Sequence, residues 1–501
     1  MRTLVNTTLI AALLVLFSGC DVTNVVERTE PSTSVSQGTA LSTEDGVNGI
    51  RASMYDRFHD EQMSTDWLLG PAAQADNTYF RASQNRHQGL NLNNLRAGNG
   101  TGAWGELYDT INDANLLING IEDGVVSEAR ANKLEAEARF VRALAYHHLV
   151  RIFGYDPAEG GGVLTPNSGP GQGFNLGVPL RTQPTLSTED AASEPRAPVP
   201  EVYDQIVADL DTSITLFQNL PSDQKESTAF FPTEVASHAL LARVQLYNKN
   251  YQAAEDQAQT ALDQAASRFG SGLATTTSGL DGIFDETAAN PEAIFTIDTD
   301  PTTESAGVNN AISAYTSREW MAQIPTEELI DLYPAGDMRL DAWYGKCFDE
   351  IAGAYPSGCA NINADSLELQ KYNAEQGNYA DDYVHLRVGE LKLIQAEARL
   401  EGASGNPAAP LNDLRTARGL SEVSSVDMDL ILEERRRELA AEGHRYFDLK
   451  RLGRDISKSA GKLSDPDDDQ SPLRFNSIRI LDDIPSSQVD VEELRQNPGY
   501  R

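Results

Sequence analysis

"PTEVASHALLARVQLYNKNYQAAEDQAQTALDQA", Pro232 to Ala265, decides the fold. Each half carries apolar or small residues at helical spacing, and the polar "NKN" between them is turn chemistry. Ala239 and Ala242 mark one half; Ala254 and Ala258 mark the other. Alanines at facing positions let two helix backbones approach closely, so the stretch predicts a helix–turn–helix packed through its small residues.

The same style recurs outward. "ANKLEAEARFVRALAYHHLVRIFG" (Ala131–Gly154) has a stripe of Leu134, Ala138, Val141, Ala145, Leu149 and Ile152 at three- and four-residue steps. Gly154 follows the last apolar position, as a stop signal should. "WGELYDTINDANLLINGI" (Trp104–Ile121) and "PEVYDQIVADLDTSITLF" (Pro200–Phe217) are further helices, the latter with Pro at its start. In "LSTEDGVNGIRASMYDRF", Thr43 is placed to cap a helix whose first turn holds Glu44 and Asp45. The expected class is mainly α: a tetratricopeptide-like scaffold of helix pairs, without a strict repeat length, carrying long loop-rich insertions and few short strands. "EAIFTIDTD" is one of those strand candidates. The scaffold is expected over 41–66, 101–154, 200–266 and 384–453, and the loop-rich regions over 67–100, 155–199 and 267–383, all in one domain from 41 to 501. Loops of that length usually carry function.

Composition sets the outer bounds. Lys and Arg number 40 against 75 Asp and Glu, a net charge of −35. Such a chain repels nucleic acid, so no nucleic-acid partner is expected. At the N-terminus, Arg2 precedes the apolar run "LIAALLVLF" (Leu9–Phe17), which ends in "FSGC". The run is too short to span a bilayer and has signal-peptide length. The ending resembles the lipobox of bacterial lipoproteins, which predicts a signal peptide over 1–19, a lipidated Cys20 and attachment to a membrane by acyl chains alone. Residues 20–40, polar and rich in Ser and Thr, read as a tether. The remaining cysteines, Cys347 and Cys359, flank a Gly- and Pro-containing loop and are expected to form a disulfide in an exported chain.

Signatures of catalysis are missing. The sequence has no G-x-S-x-G elbow, no H-E-x-x-H and no P-loop. "SGPGQGF" (Ser168–Phe174) does not sit between a strand and a helix, and "DPDDDQ" (Asp465–Gln470) lacks the glycine and glutamate of a calcium loop. His147 and His148 read as one core and one exposed residue at the end of an apolar helix. Neither a metal nor a cofactor is expected, and no enzyme activity.

"ILEERRRELAAEGHRYFDLKRLG" (Ile431–Gly453) packs eleven charged residues into one helical segment. Glu434, Glu438 and Glu442 repel one another at four-residue spacing unless cations intervene. Glu434, Arg435, Glu438, Glu442, Arg445, Asp448 and Arg451 therefore read as a paired ionic network, with Arg435 facing Glu438, Gly443 breaking the helix, and Arg445 and Arg451 folding back.

These residues resemble the E-R-x-x-E-L-x-x-E-G-x-R-x-x-D-L-x-R signature of SusD/RagB-type outer-membrane lipoproteins. "VHLRVGELKLIQAEARLEG" (Val384–Gly402), "LNDLRTARGL" (Leu411–Leu420), "EARFVRALAYHHLVRIFG", "PTEELIDLYPAGDMRLDAW" (Pro325–Trp343) and the closing "IPSSQVDVEELRQNPGY" resemble further pieces of that family, in the same order. The resemblance implies a non-enzymatic nutrient-capture protein at the outer-membrane surface, binding oligosaccharides and partnering a SusC-like TonB-dependent transporter. Peptide capture, a surface glycosidase and a ligand-free structural lid are the alternatives.

Sugars present apolar faces rimmed by hydroxyls, so a site needs aromatic plates beside amide and charged groups. Two loop stretches offer this combination: Trp67, Asp76, Asn77, Tyr79 and Arg81 in one, Tyr315, Arg318 and Trp320 in the other. Trp104 reads as a core anchor. Replacing Tyr79, Arg318 and Trp320 together by Ala is expected to weaken oligosaccharide binding with the fold intact. Calorimetry showing wild-type affinity in the triple variant would remove these residues from the site.

Overall fold

A computed structural model describes residues 37–60, 63–81, 88–92, 103–155, 176–187, 190, 194–284, 290–300, 307–316, 322–346, 367–372, 380–457, 473, 480–490, 494–497 and 500. Cys20, Cys347, Cys359, Arg318 and Trp320 lie outside the described residues. So do the Gly-rich 168–174 and the acidic 465–470.

The principal helices are α1 (Glu44–Asp56), α2 (Thr65–Gln74), α3 (Trp104–Asn119), α4 (Glu128–Phe153), α5 (Val199–Asn219), α6 (Glu234–Tyr247), α7 (Tyr251–Arg268), α8 (Val388–Leu400), α9 (Ala408–Ala417), α10 (Met428–Glu438) and α11 (Arg445–Arg451). Local chemistry starts several of them. The hydroxyls of Thr43, Ser127 and Thr233 and the Asp427 carboxylate each accept a backbone N–H from the first turn that follows. From α3 to α9 each helix packs against the next in sequence order. The core of this row is alanine-rich where helices touch: Ala239, Ala242, Ala254 and Ala258 are wholly buried between α6 and α7. The stripe predicted on α4 is buried along its full length. The mainly helical class and the helix-pair scaffold are thus observed directly.

Strands are few and short, and each pairs with one partner. Two-stranded antiparallel sheets join β1 (Thr78–Phe80) to β5 (Gln323–Pro325), β2 (Leu176–Pro179) to β3 (Arg196–Pro198), β4 (Ala293–Ile297) to β8 (Tyr383–Arg387), and β6 (Tyr344–Lys346) to β7 (Leu367–Leu369). The loop-rich regions hold more order than composition suggests. Residues 67–100 include most of α2, every residue of which is buried.

The ionic segment is the keystone of the packing. The Glu438 carboxylate lies wholly buried among three arginines from three other segments. Arg418 donates to its two oxygens at 2.6 and 3.0 Å, Arg387 Nη1 to Oε1 at 2.6 Å, and Arg339 Nη1 to Oε2 at 2.9 Å. Arg387 and Arg418 are bridged on their other side by Glu292, and Arg387 also grips both oxygens of Glu442. Arg339 reaches Glu434 as well, at 2.6 Å, so a cation does stand between the repelling glutamates.

The pairings otherwise differ from those expected. Arg435 turns away from Glu438 to donate to Asp448 at 2.8 Å, and Arg451 bridges Asp448 to Glu397 on α8. Arg445 pairs with Asp76 instead of folding back. The helix stops at Glu438, before Gly443, and the chain turns through left-handed conformations at Ala441 (φ 60°) and Gly443 (φ 76°). A Cβ on Gly443 would come within 2.7 Å of the Trp67 carbonyl, and one on Gly389 within 2.6 Å of the Glu438 carboxylate. Gly389 clears space for the network, and Gly443 lets the turn close onto α2.

Burial opposes charge on Glu434, but Arg339 and Arg437 overcome it and hold the carboxyl at about 2. Against the same burial, Arg418, Arg387 and Arg339 hold Glu438 well below the usual range. A carboxyl depressed on folding contributes stability above its unfolded value near 4.5, and the contribution drains away as pH falls toward the folded value. For Glu434 this amounts to about 3 kcal/mol. Glu438→Gln is expected to lower stability by about 3 to 5 kcal/mol at pH 7, because it leaves three buried guanidiniums short of charge. It should also flatten the loss of melting temperature below pH 4.5. Denaturant titrations and thermal melts across pH 2 to 7 check both outcomes.

Candidate functional site

The two stretches picked for ligand contact lie over 200 residues apart in sequence; β1, in the first, pairs with β5, which follows the second. Tyr79 sits opposite Ile324 and Phe80 opposite Gln323. The Arg81 N–H extends the ladder by donating to the Ala322 carbonyl at 2.8 Å. Asn91 fastens Phe80 from the other side through both its N–H and its carbonyl. Tyr79 and Arg81 are half-buried at this edge. Burial, reinforced by Glu327, raises the Tyr79 phenol above its ordinary range, and burial lowers the Arg81 guanidinium.

The other candidates lie beneath that edge. Trp67 is buried, with its ring stacked on His148 at 3.5 Å and 10° and edge-on to His385 at 5.5 Å. The Asp76 carboxylate accepts Nε and Nη2 of Arg445 at 2.7 and 2.8 Å, and its backbone carbonyl accepts Arg436 Nη2 at 2.7 Å. Asn77 is wholly buried and accepts Arg436 Nε. Tyr315 is wholly buried, its hydroxyl on the Asn309 carbonyl at 3.1 Å. Trp67, Asp76, Asn77 and Tyr315 are thus parts of the framework that seats the β1–β5 edge.

His147 and His148 are both buried, so the expected exposed member of the pair is inside as well. They lie on different faces of α4: His147 packs edge-on against Tyr203 and Tyr247, and His148 under Trp67. Burial first, then Arg151, keeps both far below the ordinary imidazole range, hence neutral. Among the described residues no cluster of three or more His, Cys, Asp or Glu is arranged to hold a metal ion.

A second feature was not singled out from sequence. A groove of about 420 Å³ runs between α3 and the strip 179–185, lined by Trp104, Tyr108, Asp109, Asn112, Arg181 and Gln183 among others. Trp104 is buried as expected, packed edge-on to Phe153, yet it also reaches this groove. The W-x-x-x-Y-x-x-x-N spacing was the available signal on the helix side. The facing wall has no periodic signature, which is why sequence patterning passed over it.

Two stretches of the chain match known family models. Residues 27–246 match a family model described as starch-binding associating with outer membrane, and residues 353–500 match the SusD family model. A SusD-like protein P2 of Formosa agariphila is 27% identical over 92% of this chain and 93% of its own. A SusD superfamily protein of Bacteroides thetaiotaomicron, solved by crystallography, superposes with a TM-score of 0.76 at 21% identity, over 91% of this chain and all of that one. A laminarin binding SusD-like protein superposes with a TM-score of 0.69 at 23% identity, over 92% of this chain and all of its own.

Asp76 carries the tie between α10, α11 and the β1–β5 edge. Burial raises its carboxyl less than Arg445 and Arg436 lower it, so it stays charged. Asp76→Ala is expected to cost about 3 kcal/mol by stranding two guanidiniums. Hydrogen exchange should show faster opening at residues 78–81 and 322–325 while the α4–α5 pair stays protected.

Proposed function

This chain belongs to the SusD/RagB family, and from that premise we propose that it captures carbohydrate at the outer-membrane surface. The observation that carries the reading is the pair of SusD-type matches, one at each end of the chain, on a fold shared with a laminarin binding SusD-like protein. The proposed task is binding without catalysis: oligosaccharide is held and handed to a SusC-like TonB-dependent transporter. A binding protein needs a rigid frame that presents a few side chains, and the ionic network supplies such a frame.

The proposed ligand edge is the β1–β5 pair, with Tyr79 on β1 and Arg81 just past its end, and with Arg318 and Trp320 proposed from the stretch that precedes β5 in sequence. A phenol, an indole and a guanidinium together offer an apolar plate and donors for hydroxyls. The proposed anchor is acyl chains, palmitate among them, on Cys20, with residues 20–40 as tether and 41–501 as one domain. Among the described residues no helix is long and apolar enough to cross a membrane.

Two measurements test the reading. The full chain in detergent, applied to a glycan array, is expected to bind a restricted class of oligosaccharides; absence of binding to any glycan overturns capture. Cys20→Ala is expected to abolish incorporation of labelled palmitate and to shift the protein from the membrane to the soluble fraction. Continued labelling would place the lipid elsewhere.

A further inference from the structure

We propose that the groove between α3 and residues 179–185 is a second saccharide site, separate from the β1–β5 edge. This inference rests on the carbohydrate reading above and adds a location to it.

The groove has two walls of different kinds. One is a face of α3: Trp104, Tyr108, Ile111, Asn112 and Asn115 recur at three- and four-residue steps, with Gly105 and Asp109 beside them. The other is an irregular strip, bent at Gln183, of which Arg181, Gln183 and Thr185 line the groove. The volume of about 420 Å³ lies within the range of small-molecule sites.

The strip is held rigid by side chains. The Tyr146 hydroxyl accepts the Arg181 N–H at 2.7 Å and donates to its carbonyl at 2.8 Å. Asn115 Nδ2 donates to the carbonyls of Arg181 and Gln183, both at 3.1 Å, and Asn119 Nδ2 to that of Thr182. Asn112 Oδ1 accepts the Thr185 N–H at 2.8 Å. Asn115 is itself fixed by Arg142 at 2.6 Å, and Arg142 is clamped to Asp209 on α5. The wall is therefore preorganised by the helical scaffold, and a ligand would not have to order it.

The same bonds choose the ligand class. A peptide that adds as a strand needs free backbone donors and acceptors on the edge it joins. Here the N–H and carbonyl of Arg181, the carbonyls of Thr182 and Gln183 and the N–H of Thr185 are already engaged. Recognition is left to side chains: the ring face of half-buried Tyr108, whose hydroxyl donates to the Pro179 carbonyl, two carboxamides in Gln183 and Gln488, a hydroxyl in Thr185, and the Arg181 side chain, with Asp109 already paired to Arg57. Amides and hydroxyls beside an aromatic ring suit a hydroxyl-rich, uncharged ligand.

Gly105 provides a clean test. It is exposed in the first turn of α3, and a Cβ there meets nothing within 4 Å. Gly105→Trp should fill the groove without disturbing the core, which an unchanged melting temperature confirms. Gln183→Ala, on an exposed side chain, removes one amide by an independent route. The full chain and each variant are screened on the glycan array, and the oligosaccharides that bind are titrated by calorimetry. Expected are two sites per wild-type chain, one site in Gly105→Trp, and about a tenfold loss at the groove in Gln183→Ala. A single site in wild type, with the same affinity in Gly105→Trp, overturns the second site and leaves the carbohydrate reading standing. No binding to any glycan by the wild-type chain overturns both.

Discussion

One buried carboxylate organises the molecule. Glu438 receives Arg339, Arg387 and Arg418, and each of those arginines belongs to a different stretch of chain. Glu292 and Glu442 share the same guanidiniums, so the charges alternate instead of accumulating. Isolated charges in such a place would be strongly unfavourable. Arranged together, they define the geometry closely, because a guanidinium and a carboxylate meet well in few orientations. Whether such a network adds net stability relative to an apolar core is a separate matter, and buried pairs often do not. Its effect here is positional: it fixes where the last helices sit against β8, the end of α9 and the segment that carries Arg339.

That positioning reaches the ligand side through Asp76. The chain leaves α10 through left-handed turns, enters α11, and places Arg445 on the Asp76 carboxylate just before β1. Arg436 on α10 holds the adjacent Asn77. The β1–β5 edge is therefore an outgrowth of the ionic core, held by rigid helices at its base. Elsewhere on the scaffold, Arg142 and Asp209 serve a comparable purpose. They lock Asn115, which in turn holds the 181–185 strip. In both places an irregular segment is made rigid by side chains that leave regular helices.

Much of the scaffold was readable because helices announce themselves. The alternating stripe of Leu134 to Ile152, the Thr233 cap and the paired alanines are local properties, and local properties survive transfer from sequence to structure. The site was less readable. Aromatic and polar composition drew attention to Trp67, Asp76, Asn77 and Tyr315, but composition does not distinguish a side chain that faces solvent from one that supports the chain below. Burial settled that question for Trp67, Asn77 and Tyr315, and the pairing with Arg445 settled it for half-buried Asp76. Tyr79 and Arg81 differ from their neighbours only through the strand pairing that β5 imposes, and β5 lies more than 200 residues away.

By itself the sequence determined the helical class, the stop and start of most long helices, the presence of a charged closing segment and its likeness to one family. Each follows from spacing over a few turns or from a motif read in order. Only the tertiary structure decided which charge meets which. Arg435 chose Asp448 over Glu438, Arg445 chose Asp76, and Glu438 took its cations from residues 339, 387 and 418. The reason is physical: helical spacing ranks only near neighbours on one surface, whereas a buried charge is satisfied by whichever partner the folded chain brings within hydrogen-bonding distance. The same holds for the groove beside α3, whose second wall is an irregular strip that distant side chains hold in place.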